Sequence, residues 1–223
     1  MAHEPNAPVG RRESRSPSPT APLDTIIPAI LERFAARNAA REEGLGASRA
    51  VIRLSANAIR AVHRQEFEAA RAGLAEARAV RDRAVTAMAA YPEIYHAGFL
   101  HDAQKEYAEA ETTLALLSGG SIPSPQELGV EDAAYLNGIA EAVGEMRRML
   151  LDRLRRGQYD GCEEILAAME DIYAVLVTID FPDAMTGGLR RTTDQARGIL
   201  ERTRGDLTMA ILQREAMAAL RPR

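Results

Sequence analysis

The sequence predicts an all-α fold, and three observations support this prediction. Hydrophobic residues make up 46% of the 223 residues, whereas aromatic residues make up only 4% and tryptophan is absent. This composition favours helices, because strands are enriched in β-branched and aromatic residues. Apolar residues also recur at helical spacing, and most prolines and glycines fall between these stretches. We therefore expect a bundle of six or seven antiparallel helices.

The chain is predicted to consist of a tail and one helical domain. Residues 1–22 contain five prolines among serine, arginine and glutamate, a composition typical of a disordered segment. Residues 23–220 are assigned to the helical domain, which opens with an amphipathic stripe on Ile26, Ile30 and Phe34. Gly44 and Gly46 are predicted to break or bend the first long helix.

Several classes of protein are disfavoured by the sequence. Its longest apolar runs fall well short of the roughly 20 residues that a membrane helix needs. The N-terminal segment lacks the apolar region of a secretion signal. The single cysteine, Cys162, leaves no partner for an internal disulfide and excludes a cysteine-based zinc site. We therefore expect a cytoplasmic protein without a membrane span.

The basic residues are unusual in kind. The net charge is −4, and of the 28 basic residues only Lys105 is lysine, so 27 are arginine. An arginine guanidinium can bind phosphate through two parallel hydrogen bonds. A GC-rich genome or a thermophilic lifestyle would also enrich arginine, so position along the chain has to decide between these interpretations.

Two pairs of acidic residues suggest a metal site. Glu106 and Glu109 lie three residues apart on one predicted helix, and Glu141 and Glu145 lie four apart on another. On facing helices these carboxylates would form an all-oxygen site suited to Mg²⁺ or Mn²⁺. Such a metal can activate water and stabilise charge on a phosphoryl group. The alternative is that 32 acidic residues produce such pairs by chance on solvated faces.

A basic strip lies on the first predicted helical region. Its arginines recur close to the helical period and so fall roughly on one side: Arg49, Arg53, Arg60 and Arg64. His63 lies among them. Such a strip can neutralise phosphates without reading base sequence. The alternative is a solvated face whose arginines pair with Glu42, Glu43 and Glu66.

Four segments of the chain match the motifs of one protein family, in the same order and spacing. Residues 135–147 (YLNGIAEAVGEMR) are similar to the family's YLxGhxxLxxEhxR helix, where h is apolar. Residues 157–160 (GQYD) are similar to its GDY turn, and residues 189–194 (LRRTTD) to its LRxxxD helix start. The first long helix matches through Ser48, Arg49, Ser55, Ile59, His63 and Arg64. Together these segments resemble the translin family, which includes translin-associated factor X. The resemblance covers residues 23–215, nearly everything after the tail.

The resemblance implies an all-α subunit that assembles into a hollow, usually eight-subunit shell binding single-stranded RNA or DNA. In the catalytic factor X branch it implies a metal-dependent endoribonuclease, whose E-x-x-E pair matches Glu106 and Glu109. Two further acids of that branch match Glu141 and Glu145. Glu141 stands where the branch usually has aspartate, and Ala103 stands where it has another glutamate.

We therefore expect a nucleic-acid-binding homo-oligomer, octamer-like, that cleaves single-stranded RNA with Mg²⁺ or Mn²⁺. The expected metal ligands and catalytic residues are Glu106, Glu109, Glu141 and Glu145. The expected phosphate contacts are Arg49, Arg53, Arg60, His63 and Arg64. One alternative is a translin-like shell that binds single strands without cutting them. The other is a helical scaffold with no nucleic-acid role.

Overall fold

The computed structural model describes residues 19–220, and over this range it confirms the all-α prediction. Nine helices and no strands are present in the described residues. The helices are α1 (Leu23–His63), α2 (Phe67–Met88), α3 (Pro92–Tyr95), α4 (Phe99–Leu117), α5 (Pro125–Leu128), α6 (Asp132–Arg155), α7 (Cys162–Leu176), α8 (Asp183–Thr186) and α9 (Leu189–Ala219). Six are long, and α3, α5 and α8 are single turns of four residues. Most of the predicted tail, residues 1–18, lies outside the described residues.

The chain divides into two compact units, Met1–Ala39 and Ala40–Arg223. In the described part of the first unit, the predicted amphipathic stripe is helical. Its large apolar side chains are about half exposed: Leu23, Ile26, Ile27, Leu31 and Phe34. None of the helices between residues 19 and 220 carries an apolar stretch long enough to cross a membrane.

The core of the second unit is built on three hydrophobic clusters, of which two are large. One large cluster joins α2, α4 and the part of α1 that follows residue 40, and the other joins α6, α7 and α9. Helix α6 packs against α4 on one side and against α7 and α9 on the other. The α4–α6 contact therefore connects the two large clusters.

The predicted break at Gly44 and Gly46 is wrong, because α1 continues through both residues to His63. A Cβ atom at Gly44 would lie 2.5 Å from the sulfur of Met88 and 3.0 Å from the Phe99 ring. Gly44 therefore provides space for packing at this point and does not end the helix.

Gly138 sets the distance between α4 and α6. A Cβ atom at this position would lie 2.6 Å from the Lys105 carbonyl oxygen, 2.8 Å from the Ala108 Cβ atom and 2.9 Å from the Glu109 amide nitrogen. These are below normal contact distances, so only glycine allows the two backbones to approach so closely. Glu141 follows Gly138 by one helical turn and is therefore placed beside this crossing.

A buried arginine joins α2 to α4. Arg81 is only 1% exposed, and its guanidinium carbon lies 4.8 Å from the centroid of the Tyr107 ring. The Tyr107 hydroxyl donates a hydrogen bond to Glu111. Burial, followed by this hydrogen bond, raises the pKa of Tyr107. Tyr107 on α4 thus contacts Arg81 of α2 and is held in place by Glu111 of its own helix.

Candidate metal centre and phosphate-binding residues

Three of the four predicted acids come together in the structure. One carboxylate oxygen each from Glu106, Glu109 and Glu141 lie within 4.8 Å of one another, and all three residues are half-buried. Helix α4 supplies two of these side chains, and α6 supplies the third. Divalent cations bind carboxylate oxygens at about 2.0–2.6 Å, so oxygens at this separation can share one ion. We call these three residues the acid cluster.

The acid cluster carries concentrated negative charge. Burial, followed by the charges of Glu106, Glu141 and Glu145, raises the pKa of Glu109 to about 8. Burial also raises the pKa of Glu106, although the Lys105 ammonium opposes this effect. An all-oxygen donor set with a surplus of negative charge suits a hard divalent cation such as Mg²⁺ or Mn²⁺. The residues present therefore fit the metal that the sequence predicts.

Lys105 is a further member of the site, which neither residue spacing nor the family resemblance indicates. Its ammonium nitrogen donates a hydrogen bond of 2.8 Å to Glu141 Oε1 and lies 3.8 Å from Glu106 Oε1. Burial acts to lower the pKa of Lys105, but the hydrogen bond to Glu141 and the surrounding carboxylate charges outweigh it and leave the pKa raised. The ammonium therefore offsets part of the negative charge of the acid cluster.

The fourth predicted acid, Glu145, lies outside the acid cluster and contacts His63. The distance from Glu145 Oε2 to His63 Nε2 is 2.5 Å, and Arg148 lies 3.7 Å from the same oxygen. The hydrogen bond with His63 is the main cause of the lowered pKa of Glu145. The His63 side chain is only 6% exposed. The structure thus places His63 with the acids and not with the exposed arginines.

The arginines of the predicted basic strip differ in their surroundings. Arg49, Arg53 and Arg60 are exposed on α1, and Arg60 donates a hydrogen bond to Asn57. Arg64 donates two hydrogen bonds to Glu66, of 2.9 and 2.6 Å, as the solvated-face alternative predicted. Within residues 19–220, Arg49 and Arg53 form no ion pair. No carboxylate within this range therefore competes with a phosphate for these two guanidinium groups.

Comparisons with known proteins identify the family. No protein-family model matches the chain. An uncharacterised protein of Methanocaldococcus jannaschii is 30% identical over 187 residues, which span 82% of this chain and 81% of that protein. The similarity thus covers most of both proteins.

Solved structures give the family its identity. AfC3PO, an Archaeoglobus C3PO (translin and translin-associated factor X) protein, is 36% identical, with a TM-score of 0.79 over 84% of this chain and 98% of its own. AfC3PO has also been solved in complex with duplex RNA, where identity is 35% and the TM-score 0.77 over 84% of this chain and 97% of that one. The Neurospora protein apo-NeC3PO shares the fold at 23% identity, with a TM-score of 0.75 over 89% of this chain and 100% of its own. The chain belongs to the translin family.

Proposed function

We propose that this protein binds RNA and cleaves it with a divalent cation, Mg²⁺ or Mn²⁺, held by the acid cluster. The observation that carries this proposal is the convergence of Glu106, Glu109 and Glu141 oxygens within 4.8 Å at the crossing of α4 and α6. Similarity to AfC3PO, which has been solved with duplex RNA, supports RNA as the ligand.

Each residue of the site has a distinct part in this proposal. Glu106, Glu109 and Glu141 supply oxygen ligands, and a bound metal would activate water and offset charge on the phosphate. His63 holds Glu145 in place through their hydrogen bond, and the charge of Glu145 adds to the negative field at Glu109. The exposed arginines Arg49, Arg53 and Arg60 hold the phosphate backbone.

The second candidate is a protein that binds RNA without cutting it. One observation favours it, because Glu141 already has a partner in the Lys105 ammonium 2.8 Å away. If that ion pair persisted in solution with metal present, the cluster would lack a ligand and would not hold a catalytic ion.

We also propose that the protein forms a homo-oligomer of the octameric kind that the family resemblance implies. The exposed apolar side chains of α1, such as Leu31 and Phe34, support self-association, because contiguous apolar surface of this kind marks interaction sites. Light scattering in solution measures the subunit number, and a monomeric mass would contradict this proposal.

The proposed cleavage is tested with labelled single-stranded and duplex RNA in Mg²⁺ and in EDTA. We expect cleavage in Mg²⁺ only, and a loss of about tenfold or more in Glu106→Gln, since the amide removes a charged ligand. Glu76→Gln, which changes an exposed acid of α2, is the matched control and should retain activity. Cleavage that survives EDTA would contradict the metal site. Binding without cleavage would select the second candidate, and an absence of salt-sensitive binding would exclude both.

A separate prediction concerns RNA binding by the basic strip. We expect Arg49→Ala and Arg53→Ala each to weaken RNA binding and to reduce the slope of log affinity against log salt concentration by about 1. Arg64→Ala should have a smaller effect, because Glu66 already binds its guanidinium. Fluorescence anisotropy at several NaCl concentrations measures all three. Equal losses of RNA affinity in the three variants would show that the ion pair with Glu66 does not keep Arg64 from binding phosphate.

A further inference from the structure

Lys105 occupies an unusual position for the only lysine of the chain. Its side chain is 22% exposed and lies on α4 directly before Glu106. From there its ammonium contacts one oxygen on each helix, Glu141 Oε1 at 2.8 Å and Glu106 Oε1 at 3.8 Å. Both carboxylates belong to the acid cluster. The lysine is therefore a cation bound to two of the three groups that would hold a metal.

An ammonium and a divalent cation compete for the charge of these carboxylates. Both bind the carboxylates of Glu106 and Glu141, and two positive charges at such short range repel each other strongly. The lysine stem is long and flexible, so the ammonium can leave the carboxylates while α4 stays in place. A cation that reaches the cluster thus competes with an existing ion pair.

The chemistry of lysine suits this exchange better than that of arginine. A guanidinium would bind a carboxylate through two fixed hydrogen bonds, whereas an ammonium is a point charge on a rotatable stem. With 27 arginines elsewhere in the chain, the single lysine lies where a displaceable charge is needed.

We propose that Lys105 is the resident counter-ion of the acid cluster and that a divalent cation must displace it to bind, an inference that rests on the proposed metal site. Lys105 then has two opposing effects. It stabilises the metal-free fold by offsetting the charge of Glu106 and Glu141, and it weakens metal binding by competing for the same oxygens. The residue thereby sets the cation concentration at which the site fills.

The test measures Mn²⁺ binding and thermal unfolding of the full chain, without any activity assay. In Lys105→Met we expect a lower melting temperature in EDTA and Mn²⁺ affinity raised about tenfold, measured by calorimetry or by the electron paramagnetic resonance signal of free Mn²⁺. In Lys105→Arg we expect the reverse for Mn²⁺, a weaker affinity than wild type, because the guanidinium is harder to displace. Lys105→Gln serves if the methionine variant does not fold.

The outcomes separate this inference from the proposed function. If wild type and all variants fail to bind Mn²⁺, the metal site itself is wrong. If wild type binds Mn²⁺ but removal of the ammonium leaves the affinity unchanged or lowers it, the metal site stands and the role of Lys105 is overturned. Opposite changes in the Mn²⁺ affinity of Lys105→Met and Lys105→Arg support the role of Lys105. A merely structural role would weaken Mn²⁺ binding in both variants.

Discussion

Replacing Glu109 by glutamine is expected to stabilise the metal-free protein at pH 8 while removing its response to metal. Burial and the neighbouring carboxylates raise the pKa of Glu109 to about 8 in the folded state, from an ordinary value of 4.5. Between these two pH values the folded protein retains a proton that the unfolded chain has lost. The free energy of unfolding therefore falls as pH rises through this window.

Glutamine removes this penalty because it does not ionise. The gain in unfolding free energy of Glu109→Gln over wild type should be close to zero near pH 4 and reach about 3 kcal/mol at pH 8, allowing for partial exposure of the site. Urea unfolding in EDTA at several pH values measures this difference. Glu76→Gln is the control, because its exposed side chain lies on α2, a helix that contributes no residue to the acid cluster.

The same substitution should have the opposite consequence when Mn²⁺ is present. The amide keeps the shape of the side chain but not its charge, so we expect the metal-induced rise in melting temperature to fall sharply and RNA cleavage to drop about 100-fold. A Glu109→Gln variant that is less stable than wild type at pH 8 in EDTA would contradict the raised pKa of Glu109, which burial and then the neighbouring carboxylates cause. An unchanged rise with Mn²⁺ would exclude Glu109 as a ligand.

Gly138→Ala is expected to destabilise the fold by about 3 kcal/mol and to separate the acids. The added methyl group would meet the Lys105 carbonyl oxygen at 2.6 Å and the Glu109 amide nitrogen at 2.9 Å, and backbone atoms in a packed helix cannot move aside cheaply. Because α4 and α6 would be pushed apart, Glu141 should no longer share an ion with the two α4 acids. Urea unfolding and Mn²⁺ titration measure the two effects.

A second glycine of the same helix supplies the matched control. A Cβ atom at Gly144 would meet only the Ile199 Cδ1 atom, at an ordinary 3.9 Å. Gly144→Ala should therefore be neutral or stabilising by up to about 1 kcal/mol, because alanine favours the helix. If Gly138→Ala and Gly144→Ala change the free energy of unfolding equally, the close approach of α4 to α6 at Gly138 does not limit stability.

The fold was predictable because it depends on local periodicity. Apolar spacing and the positions of prolines indicate the six long helices, and these are the strongest signals that a sequence carries. Gly44 was misinterpreted because its low helix propensity is a local property, whereas its packing against Met88 and Phe99 depends on distant parts of the chain.

The site was predictable only in part. Spacing and the family resemblance selected Glu106, Glu109 and Glu141, and the structure places these three together. Spacing could not show that His63 contacts Glu145, because the two residues lie 82 positions apart and on different helices. Lys105 stands out in the sequence as the only lysine. Its contact with Glu141 could not be predicted, because it depends on how α4 and α6 pack together.

Because the chain has a single lysine, chemical labelling and proteolysis can each be directed to one position. An amine-selective reagent can modify one side chain in these 223 residues, and that side chain lies against Glu141 and Glu106. Its labelling rate, followed by mass spectrometry, therefore reports on a single ion pair. A lysine-specific protease likewise has one cleavable bond, between Lys105 and Glu106 within α4, so the appearance of two fragments follows the opening of that helix.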